Sequence, residues 1–402
     1  MALLHFLKMY SPFPIRAIYI NHQLQDVASE WGALVADFCQ QHQIEYIYQA
    51  VEVAAGNLEQ QAREARYSAF SQHISEHDYL VLAHHQQDQA ETTLLRLFSG
   101  AGVKGLSAMR LLDQREGVQV FRPLLDWSRE QIEAYAQANN LPYVIDPTNN
   151  DEHYDRAWAR QRLWPMLQAR FPKMQQAVAR AAYLMQDADE ILNEVLQLDM
   201  SKVVSNDQIE IAELLKLSPA RQGQLLSAWM QGTGVYRPSL ELVKRLQHDV
   251  IEAREDAQSR LHWNGQYFVR FQTRLYRLTD TDLNVISDSA PQEIVMQLQS
   301  SYVVLTGHYH NKINEIGLDP ALIGEPLQLR LRQGGEKIHL HGRIGHWPLK
   351  KAIQSAQIPP WQRQRIQILS KDNVMLGVFT PQGFWLAQSV YCQRNGWVPQ
   401  LD

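Results

Sequence analysis

Apolar and polar positions alternate between two rhythms over the first 150 residues. Apolar runs with polar flanks predict strands at Ile15–Asn21, Glu45–Val53, Tyr79–His84 and Pro142–Ile145. Between them, apolar residues recur at helical spacing in Val27–Gln41, Glu59–Ser75 and Asp88–Phe98, then in Ser128–Asn139. Strands alternating with helices predict βαβ units on a parallel sheet. Ligands of such sheets sit beyond the carboxyl ends of the strands. Those ends carry Asn21-His22 and His84-His85, with Asp88 close behind.

Phe171-Pro172 breaks this rhythm. From Met174 to Val195 apolar residues again recur at helical spacing, which predicts one long amphipathic helix. Further helices are expected at Pro219–Met230 and Ser239–Ala253. Asn264-Gly265 lies between Arg260–Trp263 and Gln266–Leu278, a hairpin signal. Val269 and Phe271 should share one face there, with Arg270 and Arg274 on the other. The last 80 or so residues resume strand patterns around Gly334-Gly335, a short Leu349–Ala356 helix and Pro359-Pro360. The expected organisation is an α/β parallel-sheet domain at 1–171, a mainly helical domain at 172–310 and a small α+β domain at 311–402. Trp347 and Trp361 are expected in the core of the last.

Composition narrows the class. The chain has 402 residues, with 45% hydrophobic and 20% charged, a balance that fits a globular protein of several domains. No apolar run approaches the roughly 18 residues that span a bilayer. No basic n-region or cleavage site marks a signal peptide, so a cytoplasmic protein without membrane contact is expected. Cys39 and Cys392 are too few for a disulfide framework or for cysteine-based zinc or iron–sulfur sites. Net charge is −5, yet residues 326–402 carry ten basic and three acidic side chains, net +7. A second basic stretch, Arg156, Arg160, Arg162, Arg170 and Lys173, has no acid within it. Basic segments on an acidic chain fit either a localised anionic partner such as a folded nucleic acid, or a solvated surface.

The densest chemistry lies in Leu82-Ala83-His84-His85-Gln86-Gln87-Asp88-Gln89-Ala90-Glu91-Thr92. Asp88 and Glu91 are three apart and share a helical face. Two carboxylates at a strand exit suit an amine or Mg2+. The same pair also suits a helix cap, with Asp88 as the cap and Glu91 as its capping-box partner. His84 and His85 fit either a site or a structural role.

This stretch resembles the His-x-x-Asp-Asp-Gln-x-Glu-Thr motif of the tRNA(Ile)-lysidine synthases, a family of pyrophosphate-loop ATPases. Other stretches resemble that family in the same order. Ile18-Tyr19-Ile20-Asn21-His22-Gln23-Leu24 is similar to its second strand, which ends in His-Gly-Leu. Asn57-Leu58-Glu59, Ala62-Arg63 and Arg66-Tyr67 are similar to its Glu-x-x-Ala-Arg-x-x-Arg-Tyr helix. Arg122-Pro123-Leu124-Leu125 and Asp146-Pro147-Thr148-Asn149 resemble later active-site segments. Tyr154-Asp155-Arg156 with Arg160, Arg162 and Pro165 resembles its arginine helix. Residues 330–389 resemble its C-terminal domain, notably Leu349-Lys350 and Ile358-Pro359-Pro360-Trp361. Three positions depart from the pattern: Gln87 where the family has its first Asp, Gln23 where it often has Gly, and Ala157 where it has Asn.

The resemblance implies a Rossmann-like parallel sheet of the pyrophosphate-loop ATPase type, followed by a mainly helical domain and a small α+β C-terminal domain. It implies ATP-dependent adenylation at C2 of the wobble cytidine of a tRNA(Ile) with a CAU anticodon. The amine of L-lysine then displaces AMP. On this resemblance Asp88 orients lysine or Mg2+, Glu91 binds or helps deprotonate the amine, and His85 belongs to the same catalytic group. Arg63, Arg66, Arg156, Arg160 and Arg162 are expected to meet phosphates or the RNA backbone. Arg330, Arg332, Lys337, Arg343, Lys350, Lys351, Arg363 and Arg365 are expected to meet the acceptor arm, with Arg270 and Arg274 as weaker RNA contacts. The family's Ser-Gly-Gly-x-Asp-Ser loop does not occur in these 402 residues, whose single Gly-Gly is Gly334-Gly335. The ATP-binding residues are therefore unassigned. Met1–Leu7 is read as the back half of the helix that follows that loop, and the chain as written is expected to be impaired. Two alternatives remain, a catalytically silent tRNA-binding protein and another tRNA-modifying pyrophosphate-loop enzyme.

Overall fold

The computed structural model describes the chain apart from residues 24, 26, 55–57, 116, 145–150, 152–154, 255–258, 285–289 and 299. Leu24, Asn57, Asp146-Pro147-Thr148-Asn149 and Tyr154 from the motif reading fall outside the described residues. The chain forms two compact units, Met1–Val195 and Leu196–Asp402.

The first unit opens with α1 (Ala2–Tyr10), then β1 (Arg16–Asn21), α2 (Ala28–Gln41), β2 (Glu45–Ala50) and α3 (Leu58–His73). There follow β3 (Tyr79–Val81), α4 (Gln86–Phe98), the short α5 (Val103–Leu106), β4 (Leu112–Arg115), β5 (Val118–Phe121) and α6 (Arg129–Ala138). β1 pairs parallel with β2, β3 pairs parallel with β5, and β4 closes antiparallel on β5. β1 is apolar on both faces, as a sheet covered by helices requires. Ala17 packs with Phe38, Cys39 and Ile44 on one side. Ile18 and Ile20 pack with Tyr67, Phe70, Leu80 and Val120 on the other. α6 starts at a capping box, in which Ser128 and Gln131 each accept from the other's backbone N–H.

Two strand expectations are corrected. β3 stops at Val81 rather than His84. Leu82 N–H makes one more bond, to Phe121 O. Beyond Phe121 the partner strand cannot continue the ladder, because Arg122 N–H turns to Leu111 O and Pro123 has no N–H. His84 and His85 therefore stand on a loop. Pro142–Val144 forms no strand. Leu141 is buried against α2 and β1, while Tyr143 and Val144 are exposed, so the segment has no face to bury.

The unit closes with α7 (Asp155–Trp158), a π-helical turn at Ala159–Leu163, α8 (Trp164–Arg170) and α9 (Met174–Val203). The expected boundary at 171/172 does not coincide with the division at 195/196. Arg110 pairs with Asp189 at 3.0 Å, and Gln186 donates to the carbonyls of Ser107 and Met109, so most of α9 is tied to the first unit.

In the second unit β6 (Val204–Ser205), β7 (Gln208–Glu210), α10 (Ile211–Leu214), α11 (Pro219–Gln231) and α12 (Leu240–Arg245) precede β8 (Arg260–Trp263), β9 (Gln266–Phe271), β10 (Arg274–Thr279) and α13 (Asp280–Leu283). The antiparallel sheet β6-β7-β10-β9-β8 is larger than expected. It buries Ile209, Phe268 and Leu275 against Leu225, Trp229 and Leu246. Asn264 and Gly265 both have positive φ, 51° and 72°, as the hairpin turn requires. The single strand expected over Gln266–Leu278 is two, because Gln272 turns with φ 54°.

Strands β11 (Gln292–Val295), β12 (Ser301–Val304), β13 (Gly307–Leu318), β14 (Pro326–Leu331), β15 (Lys337–Ile338) and β16 (Trp347–Pro348) follow. The chain ends with α14 (Leu349–Ser355), a 3₁₀ turn at Pro360–Arg365, β17 (Gln367–Lys371), β18 (Val374–Thr380), β19 (Gly383–Leu386), β20 (Cys392–Arg394) and β21 (Trp397–Leu401). The expected boundary at 310/311 cuts β13, which pairs with β20 and β21. β11 likewise pairs with β14. Met296, Tyr309, Leu327, Leu369, Phe379 and Trp397 form the core between these strands. Trp347 is not a core residue. It is 38% exposed, with the Arg343 guanidinium 5.1 Å from its ring centroid. Trp361 packs edge-on against Phe271 and Tyr276 of the preceding sheet. No helix among the described residues is long and apolar enough to cross a membrane.

Candidate active site at the strand exits

The loop after β3 hands the chain to α4 through His85, which is the N-cap. Its Nδ1 accepts from Gln87 N–H at 3.2 Å, and its own N–H donates to Asp88 Oδ2 at 3.0 Å. The capping role expected of Asp88 thus falls three residues earlier, and Asp88 rather than Glu91 is the reciprocal partner. Gln86 N–H reaches Trp127 O, which lets the helix begin before Asp88. Asp88 remains 18% exposed at the mouth of the loop. Its Oδ2 lies 3.4 Å from His85 Nε2 and its Oδ1 lies 3.8 Å from Arg160 Nη2.

Glu91 sits one turn deeper, 1% exposed. Arg160 donates Nε to its Oε1 at 2.9 Å and Nη2 to its Oε2 at 2.8 Å. Gln87 Nε2 adds a third bond to Oε1 at 2.9 Å. Both oxygens thus accept from the protein, Oε1 twice and Oε2 once, which ties Glu91 to Arg160 and Gln87. The Gln87 departure follows the same geometry: an ionised Asp at 87 could not donate to Glu91. The Glu91 bonds hold the Arg160 guanidinium strongly protonated.

Arg156 and Arg160 both dock on α4, Arg156 Nη2 reaching Thr92 Oγ1 at 3.4 Å. The π-helical turn carries Arg160, and such turns are frequent at functional sites. Ala157 is buried. Arg162 and Arg63 are exposed, with the Arg63 guanidinium 5.5 Å from the Tyr67 ring centroid. Surrounding protein, then Arg63 and Arg156, push the Arg66 guanidinium below its ordinary range, against a counter-effect of Tyr67.

Three strand exits each leave a buried polar atom without a hydrogen-bond partner among the described residues: His22 Nδ1 after β1, His84 Nδ1 after β3 and Arg122 Nε after β5. Such orphan atoms are costly and rare in native interiors. Burial lowers the His84 pKa to about 4. Arg122, Arg156 and Arg66 act in the same direction, and Asp88 opposes them. Burial and Arg66 also lower that of His22. His22 was legible only as a strand-end residue, and its orphan nitrogen has no sequence signal. Gln23 beside it holds φ 56°, a backbone that favours glycine. Its N–H is anchored on Asn21 Oδ1 at 2.8 Å.

In the second unit the basic residues divide into two sets. Arg330 meets Glu336 at 3.4 Å and Leu331 O. Arg363 donates to Ile358 O, and Arg365 to Thr281 O. Arg270 caps the carbonyls of Ile251 and Ala253, and Arg274 pairs with Glu210. Arg270 and Arg274, expected as weaker RNA contacts, thus also hold groups of the protein itself. Lys337, Lys350 and Lys351 are exposed and Arg332 is half-buried, with no salt bridge for any of them among the described residues.

Comparison with known proteins places these features in a family. A PP-loop domain model matches residues 1–167, a TilS substrate binding domain model 210–276 and a TilS substrate C-terminal domain model 327–398. The tRNA(Ile)-lysidine synthase of Acinetobacter baylyi is 53% identical, over all of this chain and 88% of that relative. The one of Serratia proteamaculans is 35% identical, over 92% of this chain and 86% of the relative. Among solved structures, the U34-tRNA thiolase NcsA from Methanococcus maripaludis with its 4Fe-4S cluster aligns at TM-score 0.37 and 16% identity. That alignment covers 46% of this chain and 65% of the other. The relatives' identity and coverage decide the assignment: the chain belongs to the tRNA(Ile)-lysidine synthase family.

Proposed function

We propose that the chain uses ATP to activate C2 of the wobble cytidine of a tRNA(Ile) with a CAU anticodon, then joins L-lysine there to form lysidine. The observation that carries this reading is that the exits of β1, β3 and β5 present His22, His84 and Arg122, each with a buried polar atom unbonded among the described residues, and that His84 feels the charges of Asp88, Arg122 and Arg66. Ligands of α/β sheets sit at such exits.

In the first step the base oxygen O2 bonds the α-phosphorus and pyrophosphate leaves. In the second the lysine ammonium gives a proton to Asp88, the freed amine bonds C2, and AMP leaves with that oxygen. Arg66 and Arg156 supply positive charge for the phosphates or RNA backbone, where developing charge most needs fixed donors. His84 is uncharged at pH 7 and serves as a neutral hydrogen-bonding group. Asp88, the carboxylate open to solvent, meets the lysine ammonium. Glu91 acts through Arg160 as a positioning residue, and His85 positions Asp88 through its backbone N–H. No three His, Cys, Asp or Glu side chains converge as a metal cage among the described residues. Mg2+ held largely by phosphates needs only one or two carboxylates, and Asp88 fits that role. When bound, Mg2+ neutralises phosphate charge. Lys337, Arg343, Lys350 and Lys351 hold the tRNA. A reducing cytoplasm suits the two unpaired cysteines.

The test is tRNA(Ile)-dependent exchange of pyrophosphate into ATP, followed by lysine incorporation, by residues 1–402 and by Asp88→Asn. Lysine transfer lost in the variant, with tRNA binding retained, supports the reading. Exchange that ignores tRNA sinks it. Tight tRNA binding without any exchange would instead favour the catalytically silent alternative.

A further inference from the structure

A cavity of about 190 Å³ lies between the strand β10 side of the first sheet of the second unit and the 3₁₀ turn Pro360–Arg365. Pockets for drug-sized ligands enclose roughly 300–1,000 Å³, so this one suits a single ring system. Tyr276 and Trp361 line it, their ring centroids 5.0 Å apart and their planes at 65°. Asn206, Gln208 and Gln362 add three carboxamides. The charged groups of the wall neutralise one another. Arg277 forks onto Asp207 at 2.7 Å, and Arg365 donates to Thr281 O at 2.8 Å while lying 3.7 Å from Asp282. The Tyr276 hydroxyl and the side-chain amides of Asn206 and Gln362 have no hydrogen-bond partner among the described residues.

Aromatic walls with uncommitted neutral amides are suited to a nucleobase. Every base has a π-face to stack, and amides match donor and acceptor edges.

We propose that this cavity takes one unpaired nucleobase of the bound RNA, stacked on Tyr276 and Trp361 and met by the free carboxamides of its wall. The proposal rests on the RNA substrate argued above. The experiment measures tRNA(Ile) affinity of the full chain against salt concentration, for wild type, Gln362→Trp to fill the cavity, and Tyr276→Phe to delete one hydroxyl. Thermal melting of each variant checks the fold. The expected result is a loss of roughly tenfold in Gln362→Trp, a smaller loss in Tyr276→Phe, and an unchanged salt slope in both, since neither touches a phosphate contact. Lys350→Gln, an exposed cation outside the cavity, should instead reduce the slope. Wild-type affinity in both cavity variants overturns the cavity assignment while leaving the RNA reading intact. Failure of the wild type to bind tRNA removes both. Binding of free nucleoside monophosphates that Gln362→Trp abolishes, with tRNA affinity unchanged, would assign the cavity to a free nucleotide and overturn the RNA assignment.

Discussion

Arg160 grips Glu91 with two parallel hydrogen bonds, 2.9 and 2.8 Å, and the same guanidinium reaches to 3.8 Å from Asp88. The pair therefore links a buried carboxylate to the solvent-open one. Breaking a fully buried ion pair costs about 3–5 kcal/mol. Arg160 keeps 29% of its side chain exposed, so Glu91→Gln is expected to cost less, about 2 kcal/mol, read from denaturant unfolding. The kinetic signature distinguishes positioning from contact. If Glu91 acts through Arg160, Glu91→Gln lowers kcat with little change in the KM for lysine. A large rise in that KM with kcat preserved would place Glu91 on the amine after all.

His84 gives the chain a predictable acid weakness. Its folded pKa is depressed to about 4, against about 6.5 for an unfolded histidine. Between those values the unfolded chain binds more protons, so stability falls as pH falls from 6.5 towards 4, and is fully present at pH 7. The loss over the whole window is at most about 3 kcal/mol. His84→Gln cannot take up the proton, and its unfolding midpoint should be flatter than wild type between pH 6.5 and 5. Parallel profiles for the two proteins would remove His84 from the account.

Local signals were legible in the sequence, and long-range partners were not. The Asn264-Gly265 turn and the break at Phe171-Pro172 each depend on a few adjacent residues. The helix after β3 was legible, but its cap was misplaced by three residues because the bond that starts it comes from Trp127, about 40 residues away. The ion pair of Glu91 had no local signal because its partner Arg160 lies 69 residues on. The C-terminal arginines read as one cluster because the groups that engage Arg330 and Arg365 become visible only in three dimensions.

Gly317 and Gly396 meet backbone to backbone. A Cβ on Gly317 would lie 2.6 Å from Gly396 C, and a Cβ on Gly396 would lie 2.4 Å from Gly317 C. Neither neighbour is a flexible side-chain end that can swing away. Gly317→Ala and Gly396→Ala should each destabilise the second unit by about 1–3 kcal/mol through overpacking. Gly223→Ala is the control. It lies within α11 with nothing inside 4 Å of its Cβ, so it should gain about 0.5–1 kcal/mol. Equal unfolding midpoints for all three variants would contradict the close approach.

The division of the C-terminal cations into engaged and unengaged sets predicts unequal effects on RNA binding. Lys350 and Lys351 lie on exposed positions of α14. Each Lys→Gln change there should weaken tRNA binding and reduce the slope of log affinity against log salt by about 0.7–0.9, the value of one released counterion. Arg330 and Arg365 already hold Glu336 and Thr281 O. Arg330→Gln and Arg365→Gln should therefore change the slope far less, and lower stability instead. Measured slopes that fall equally for all four would mean that the salt bridge and carbonyl contact open when RNA binds. Slopes unchanged at Lys350 and Lys351 would move the RNA surface away from α14.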